Sequence, residues 1–167
     1  GEYSQRSRMQ SLQRRVIKAV RGRILDRRGR ELAIAVGAGE DAATAGARTG
    51  RGAHPSRLYP QGDLAASVLG FVGRDGYGLG GAELAFDPYL RGEDGWAIVQ
   101  RDAHVRDGHQ RKYVGAGLPS KPPVRGADVY LTIDLDIQTI LQSVLKKVQA
   151  QLDAQASLGI VMDPLRG

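Results

Sequence analysis

The chain has 167 residues, a formal charge of +6, 41% hydrophobic and 5% aromatic residues and 23 glycines. That allows one domain with a core, or a small domain plus part of a second, built on aliphatic side chains and many turns. It has no cysteine, which excludes disulfide frameworks, thiolate zinc clusters and thiol nucleophiles.

The charge is lopsided. Residues 1–36 carry ten Lys/Arg against three acids, net +7, and the remainder 14 against 15, net −1. Such an end suits nucleic-acid phosphates, anionic lipid head groups or a solvated charge run. No apolar stretch reaches the roughly 20 residues of a membrane span, and the chain starts at Gly1 without an initiator methionine. A fragment is expected, with any anchor upstream.

The first predicted element runs from Gln13 to Val36 as extended structure around a tight turn. Asp26-Arg27-Arg28-Gly29 supplies the turn formers, and Gly29 the capacity for positive φ. Leu32, Ile34 and Val36 alternate with Ala33 and Ala35, the period of a strand with one apolar face. Residues 37–56 have almost no large apolar side chain with which to offset chain entropy and read as a flexible linker.

Order resumes at Arg57-Leu58-Tyr59-Pro60, followed by a short helix capped by Asp63 and ended by Gly70. A glycine-rich turn leads to a second short helix over Ala82 to Leu90, broken at Asp87-Pro88 because proline lacks the helix donor. Trp96 to Arg101 reads as a strand. In the last segment Val129, Leu131 and Ile133 alternate as a strand, and Asp134 is placed to cap the next helix. Ile137, Ile140, Leu141, Val144, Leu145, Val148 and Leu152 form that helix's apolar stripe. Leu158 to Met162 reads as a short strand and Asp163 to Gly167 as a turn, so a strand is left awaiting a partner sheet.

Several patterns suggest chemistry and fail on context. Gly76-x-Gly78-x-x-Gly81 fits a dinucleotide fingerprint, but no βαβ unit surrounds it. Ser143-x-x-Lys146 has the spacing of an acyl-transfer nucleophile, yet Ser143 falls mid-helix, and the chain contains neither asparagine nor Lys-Thr-Gly, so the accompanying elements cannot be assembled. His54, His104 and His109 have no ligand spacing. Glu83 and Asp87 share a helix face without an evident nucleophile or metal, as solvated or paired carboxylates do.

Five ordered blocks rise above this background. Arg21-Gly22-Arg23-Ile24-Leu25-Asp26-Arg27-Arg28-Gly29-Arg30-Glu31-Leu32-Ala33 resembles the RGxIxDRxGxxLA signature of class B penicillin-binding proteins. Arg57-Leu58-Tyr59-Pro60-Gln61-Gly62 with Leu69-Gly70-Phe71-Val72-Gly73, and Gly78-Leu79-Gly80-Gly81-Ala82-Glu83-Leu84, are similar to that family's second and third blocks. Leu90-Arg91-Gly92-x-x-Gly95 and Leu131-Thr132-Ile133-Asp134 with Gln138 fall where the family has LxGxxG and LTIDxxxQ. The wording of the second and third blocks is closer to the septal, division-specific branch than to the elongation branch. Residues 37–56 stand where the family usually carries a larger head subdomain.

The resemblance implies an α+β, loop-rich pedestal module with hairpins and short helices, plus the first strand-helix-strand of a truncated transpeptidase domain. The expected divisions are a basic segment and hairpin (1–36), the linker (37–56), the pedestal module (57–127) and the start of the transpeptidase domain (128–167). Arg21, Gly22, Asp26, Arg27, Gly29, Arg57, Tyr59, Pro60, Gly62, Gly81, Glu83 and Asp134 are the structural motif residues. No catalytic residue, metal site or cofactor is expected in this stretch. Glu83 is expected to pair with Arg21, Arg57 or both, tying the blocks together through arginine's two-pronged fork.

The implied role is non-catalytic: to link a membrane anchor to an extracytoplasmic (periplasmic) D,D-transpeptidase domain and position it to cross-link peptidoglycan. In such a parent protein a serine attacks the D-Ala-D-Ala stem peptide, and an amine resolves the acyl-enzyme. Partners implied are a glycan polymerase and other division or elongation proteins, the membrane through an upstream anchor, and peptidoglycan through the catalytic domain, with no nucleic acid. Two alternatives stand beside it: a small basic nucleic-acid-binding module, motivated by the +7 end, and a small serine enzyme using Ser143 and Lys146.

Overall fold

The computed structural model describes residues 12–36, 56–101, 112–113, 119–162 and 164–165. The predicted linker, apart from Ser56, and His54, His104 and His109 lie outside the described residues. Among the described residues the fold is α+β, with two small sheets, three short helices and one long one.

The first sheet joins β1 (Leu12–Ile17), β5 (Gly95–Arg101), β6 (Lys112–Tyr113) and β7 (Ser120–Lys121). The second has the order β4-β3-β2-β8, from β2 (Ile24–Leu25), β3 (Glu31–Val36), β4 (Ser56–Leu58) and β8 (Val129–Tyr130). The single extended element predicted from Gln13 to Val36 is therefore divided between sheets. β1 pairs antiparallel with β5, Val16 opposite Trp96, and the Arg14 guanidinium lies 4.8 Å over the Trp96 ring. Local periodicity carries no trace of a partner so distant in sequence.

The predicted turn does form. The Asp26 carboxylate accepts the backbone N–H groups of Arg28 and Arg30, both at 2.8 Å, Gly29 N donates to Asp26 O, and Gly29 takes φ +82°. An aspartate bonding its own turn, followed by a glycine in the left-handed region, returns the chain as the β2–β3 hairpin. The expected one-sided face of β3 is corrected: Leu32 and Ala33 are both fully buried, because the hairpin is covered on both faces at that level.

Three helices follow: α1 (Ala66–Leu69), α2 (Gly81–Ala85) and α3 (Asp87–Leu90). Gly70 ends α1 at φ +73°, but Asp63 does not cap it. The position before α1 is Ala65, itself left-handed at φ +55°, and the Asp63 carboxylate turns away to Lys146. The break at Asp87-Pro88 separates α2 from α3 as expected.

Ile24, Leu32, Ala33, Ala65, Leu69, Ala82 and Leu90 make one aliphatic core, against which Tyr59, Val129, Leu131, Ile133 and Leu135 pack. Chain segments cross closely beside it. Gly22 N donates to Leu90 O at 2.7 Å, Gly126 N donates to Val20 O at 2.9 Å, and a Cβ on Gly22 would lie 1.9 Å from Ala127 O. Only glycine permits that approach.

β8 pairs parallel to β2, and the predicted strand is shorter than expected. Leu131 N still donates to Leu25 O, and Arg27 N to Ile133 O, so the segment continues along the hairpin as far as Asp134. Asp134 caps α4 (Leu135–Leu152) by accepting Asp136 N at 3.0 Å. The apolar stripe is on α4 as predicted, but no residue of this helix is buried. The strand expected at Leu158 to Met162 is absent: Leu158 and Ile160 are over 80% exposed and pair with no described strand. An apolar segment without a neighbouring edge has nothing to form a ladder with.

Candidate functional site

The first, second and third sequence blocks meet at a buried knot of charge. Glu83, in the first turn of α2, has no solvent exposure. Its Oε2 accepts Arg21 Nε at 2.8 Å, and its Oε1 accepts Arg57 Nε at 2.7 Å. Both arginine side chains are more than nine-tenths buried. Arg21 is placed just before β2, Arg57 on β4 and Glu83 by the glycine turn before α2, so one carboxylate draws together three elements. The pairing expected from the sequence is present on both sides.

The rest of the knot satisfies the remaining donors except Arg57 Nη2, which is buried without a hydrogen-bond partner. Arg21 Nη1 donates to Asp87 Oδ1 at 2.6 Å, and its Nη2 to Glu83 O at 2.9 Å. Asp87 Oδ1 also accepts Gly78 N at 2.9 Å, so the Gly76-x-Gly78-x-x-Gly81 stretch is a turn folded over this knot and not a phosphate cradle. Arg57 Nη1 donates to Gly22 O at 2.7 Å, and the Tyr59 hydroxyl to Glu83 Oε1 at 3.4 Å. Burial, with the Glu83 carboxylate beside it, pushes the Tyr59 hydroxyl up to about 12 from 10.0. Two arginines face two carboxylates, so the buried charge is balanced, which is the condition for tolerating it.

A second cluster joins the hairpin turn to the start of α4. Fully buried Asp26 accepts Arg30 Nε at 2.8 Å and Leu135 N at 3.2 Å, in addition to its two turn bonds. Burial pushes its carboxyl up, but the Arg30 and Arg28 backbone bonds, the Arg30 guanidinium and the Leu135 bond outweigh it and hold the group at about 2. Arg30 reaches Asp134 and Asp136 at 3.2 and 2.7 Å, and Arg28 reaches the same two at 3.1 and 3.0 Å. Burial opposes Asp134's charge as well, yet the Asp136 N–H bond and the two arginines hold it below its usual value. Nearby, Arg23 Nη2 pairs with Asp128 at 2.7 Å, fixing the approach to β8.

Of the predicted motif residues, Arg21, Gly22, Arg57, Tyr59 and Glu83 belong to the knot, and Gly81, at φ +54°, starts α2 where a Cβ would meet the backbone of Val68 to Gly70. Asp26, Arg27, Gly29 and Asp134 belong to the hairpin–α4 cluster. Pro60 and Gly62 lie in the exposed turn before α1 and join neither. Sequence reasoning left out Asp87, Arg30 and Asp128. The four-residue spacing of Glu83 and Asp87 was the available signal for the first; the other two depend on tertiary pairing.

A cleft of about 710 Å³ opens over Arg21, Arg57 and Tyr59. Among the described residues no group of three or more His, Cys, Asp or Glu is arranged to hold a metal, and no helix is long and apolar enough to cross a membrane. Ser143 Oγ donates to Ile140 O within α4, and Lys146 Nζ pairs with Asp63 at 2.5 Å, so neither is set against the other as nucleophile and base.

Residues 51–131 match the family described as the penicillin-binding protein dimerisation domain. The chain is 37% identical over 111 residues to "Probable peptidoglycan D,D-transpeptidase PenA" of Neisseria meningitidis, covering 66% of this chain and 18% of that protein. It is 33% identical over 116 residues to "Stage V sporulation protein D" of Bacillus subtilis, covering 66% and 16%. It also resembles the crystal structure of penicillin-binding protein 3 from Mycobacterium tuberculosis, with a TM-score of 0.54 and 30% identity, over 81% of this chain and 23% of that one. The chain thus spans less than a fifth of the length of these curated relatives.

Proposed function

Residues 51–131 belong to the family of penicillin-binding protein dimerisation domains, and from that membership we propose that the chain is the non-catalytic pedestal of a class B, septal-type enzyme. It acts by geometry, holding an extracytoplasmic D,D-transpeptidase domain at a set position so that peptidoglycan strands are cross-linked where a glycan polymerase lays them down. The divisions at 36/37, 56/57 and 127/128 are part of this proposal, as are a membrane anchor upstream and contacts with division proteins.

The observation that carries it is the way residues far apart in the chain are bound by buried, charge-balanced side chains and not by a reactive centre. Arg21, Arg57, Glu83 and Asp87 bond to one another and to the backbone, with Arg57 Nη2 alone left without a partner. Such an arrangement specifies relative position, a role open to buried ionic groups, and the hairpin cluster extends it to α4, where the catalytic domain would begin.

The nucleic-acid alternative loses part of its physical motive. Of the cations in residues 1–36, Lys18 pairs with Asp94, Arg21 with Glu83 and Asp87, Arg23 with Asp128, Arg28 with Asp134 and Arg30 with Asp26. Phosphates would have to displace these partners.

Reading the coding sequence beyond Gly167 tests the proposal. A Ser-x-x-Lys element a short distance downstream, followed by Ser-x-Asn and Lys-Thr-Gly, supports it; an unrelated downstream domain contradicts it.

A further inference from the structure

Helix α4 meets the rest of the molecule along a mixed side, whose half-buried residues are Leu135, Gln138, Leu141, Gln142, Leu145 and Gln149. Leu135, Gln138, Gln142, Leu145 and Gln149 recur at three- and four-residue spacing and share one face, with exposed Lys146 at its edge. Ile137, Ile140, Val144 and Val148 lie on the other side, between 40% and 65% exposed. Leu135 packs on the core, but no residue of α4 is buried, so the buried apolar face that usually fixes the direction of a surface helix is missing here.

Two polar attachments act beside these partial contacts. The first is at the helix start, where Asp26 accepts Leu135 N and Arg30 holds Asp134 and Asp136. The second is two turns on, about 11 Å along the axis at 1.5 Å per residue. There Gln142 Oε1 accepts Ala65 N at 3.2 Å, Gln142 Nε2 donates to Asp63 O at 3.3 Å, and Lys146 reaches the Asp63 carboxylate. One attachment leaves a rod free to swing; two define its direction.

The second attachment lands on a strained point. Ala65 is a non-glycine residue at φ +55°, in the left-handed region that a Cβ disfavours, yet it is 3% exposed and part of the core. Its carbonyl accepts Val68 N and Leu69 N, so the start of α1 depends on it. The Gln142 amide spans this turn, with its acceptor on residue 65 and its donor on residue 63. The position of α4 and the conformation of the core turn are thereby linked.

We infer that Gln142 is a positioning residue, whose side-chain amide sets the direction of α4 against the core by bracketing Ala65. The apolar row is thereby aimed away from the pedestal, towards whatever α4 carries. Only that last clause rests on the pedestal reading.

Because the chain has no cysteine, spin labels can be placed cleanly. One pair uses Ser67→Cys with Ala150→Cys, across the proposed attachment; a control pair uses Ser67→Cys with Ser120→Cys, within the rest of the fold. Pulsed electron spin resonance should give a narrow 67–150 distance distribution in the parent. Gln142→Ala and the near-isosteric Gln142→Met should each widen it at least twofold and leave the 67–120 distribution unchanged. Gln142→Glu, which keeps the acceptor for Ala65 N, should fall between.

A narrow 67–150 distribution in Gln142→Met would overturn the inference, since packing or the first attachment would then suffice. Widening of both pairs would also overturn it, because Gln142 would be supporting the whole fold and not one direction. Both pairs lie inside this chain, so a negative result sinks the role of Gln142 and leaves the pedestal reading standing. A missing downstream transpeptidase would do the reverse.

Discussion

Arg21 Nε donates to Glu83 Oε2 at 2.8 Å across 62 positions of sequence, and the accepting side chain has no exposure to solvent. Removing the carboxylate leaves two buried guanidinium groups with only Asp87 to balance them. Glu83→Ala is therefore expected to destabilise the chain by about 3 to 5 kcal/mol, the usual cost of an uncompensated buried charge. Urea unfolding measures this, with exposed Asp75→Ala as the control, expected to stay within about 0.5 kcal/mol of the parent. Equal midpoints for the parent and Glu83→Ala would remove the knot from the account.

Acid should loosen the hairpin–α4 cluster before it reaches the core. The Asp26 carboxyl is held at about 2, below its ordinary 3.8, so its contribution is fully present above about pH 4 and is lost as pH falls towards 2. Asp134 and Asp128, also shifted downwards, act in the same direction. The slope of unfolding free energy against pH in this window should be shallower in Asp26→Asn than in the parent. Parallel acid limbs would contradict the assignment.

Alkali should act through Tyr59. Its hydroxyl is raised from 10.0 to about 12, so the folded state favours the neutral phenol, and that stability is present below pH 10 and lost as pH rises towards 12. Tyr59→Phe should flatten this limb of the stability profile; an unchanged slope would show that Tyr59 is not the group responsible.

Hydrogen exchange should divide the chain unevenly. The β2–β3 hairpin carries Ile24, Leu25, Leu32 and Ala33, all almost fully buried, whereas α4 buries nothing. Amides from Leu135 to Leu152 should exchange through small openings and those of the hairpin through global unfolding. Equal protection would mean that α4 has found a core of its own.

What could be read from the sequence follows range. Turn chemistry is local, so the Asp26–Gly29 turn, the Asp87-Pro88 break and the Asp134 cap were legible. Glu83 with Arg21 and Arg57 was legible for a different reason: charged residues embedded in glycine-rich blocks need partners, and the blocks arrived in a recognised order. The β1–β5 pairing was not legible, because no local period distinguishes which distant strand will be opposite. The capping expectation at Asp63 failed because the chain uses a left-handed Ala65 there, and the strand expected after α4 failed because a ladder needs an edge to join. Gln142 carried no signal at all, since an amide on a helix surface looks the same whether or not a turn lies beneath it.

A labelled β-lactam should not acylate this chain. Ser143 is bonded back into its own helix and Lys146 is held by Asp63, so no base is poised to activate a nucleophile. Mass spectrometry of the intact chain after labelling checks this. A stoichiometric adduct that disappears in Ser143→Ala would make the chain an enzyme in its own right.

The central claim is that these residues supply position and not chemistry, and it is tested most directly by comparing two activities of the full-length protein carrying Glu83→Gln. One is the rate of acylation by a soluble β-lactam, which needs only the catalytic domain. The other is cross-linking of nascent glycan in membranes together with the polymerase, which also needs that domain in its place. The account predicts acylation within about twofold of the parent and cross-linking reduced on the order of tenfold or more, the scale at which misplacement of reacting groups is felt. Equal losses in both activities, or no loss in either, would contradict it.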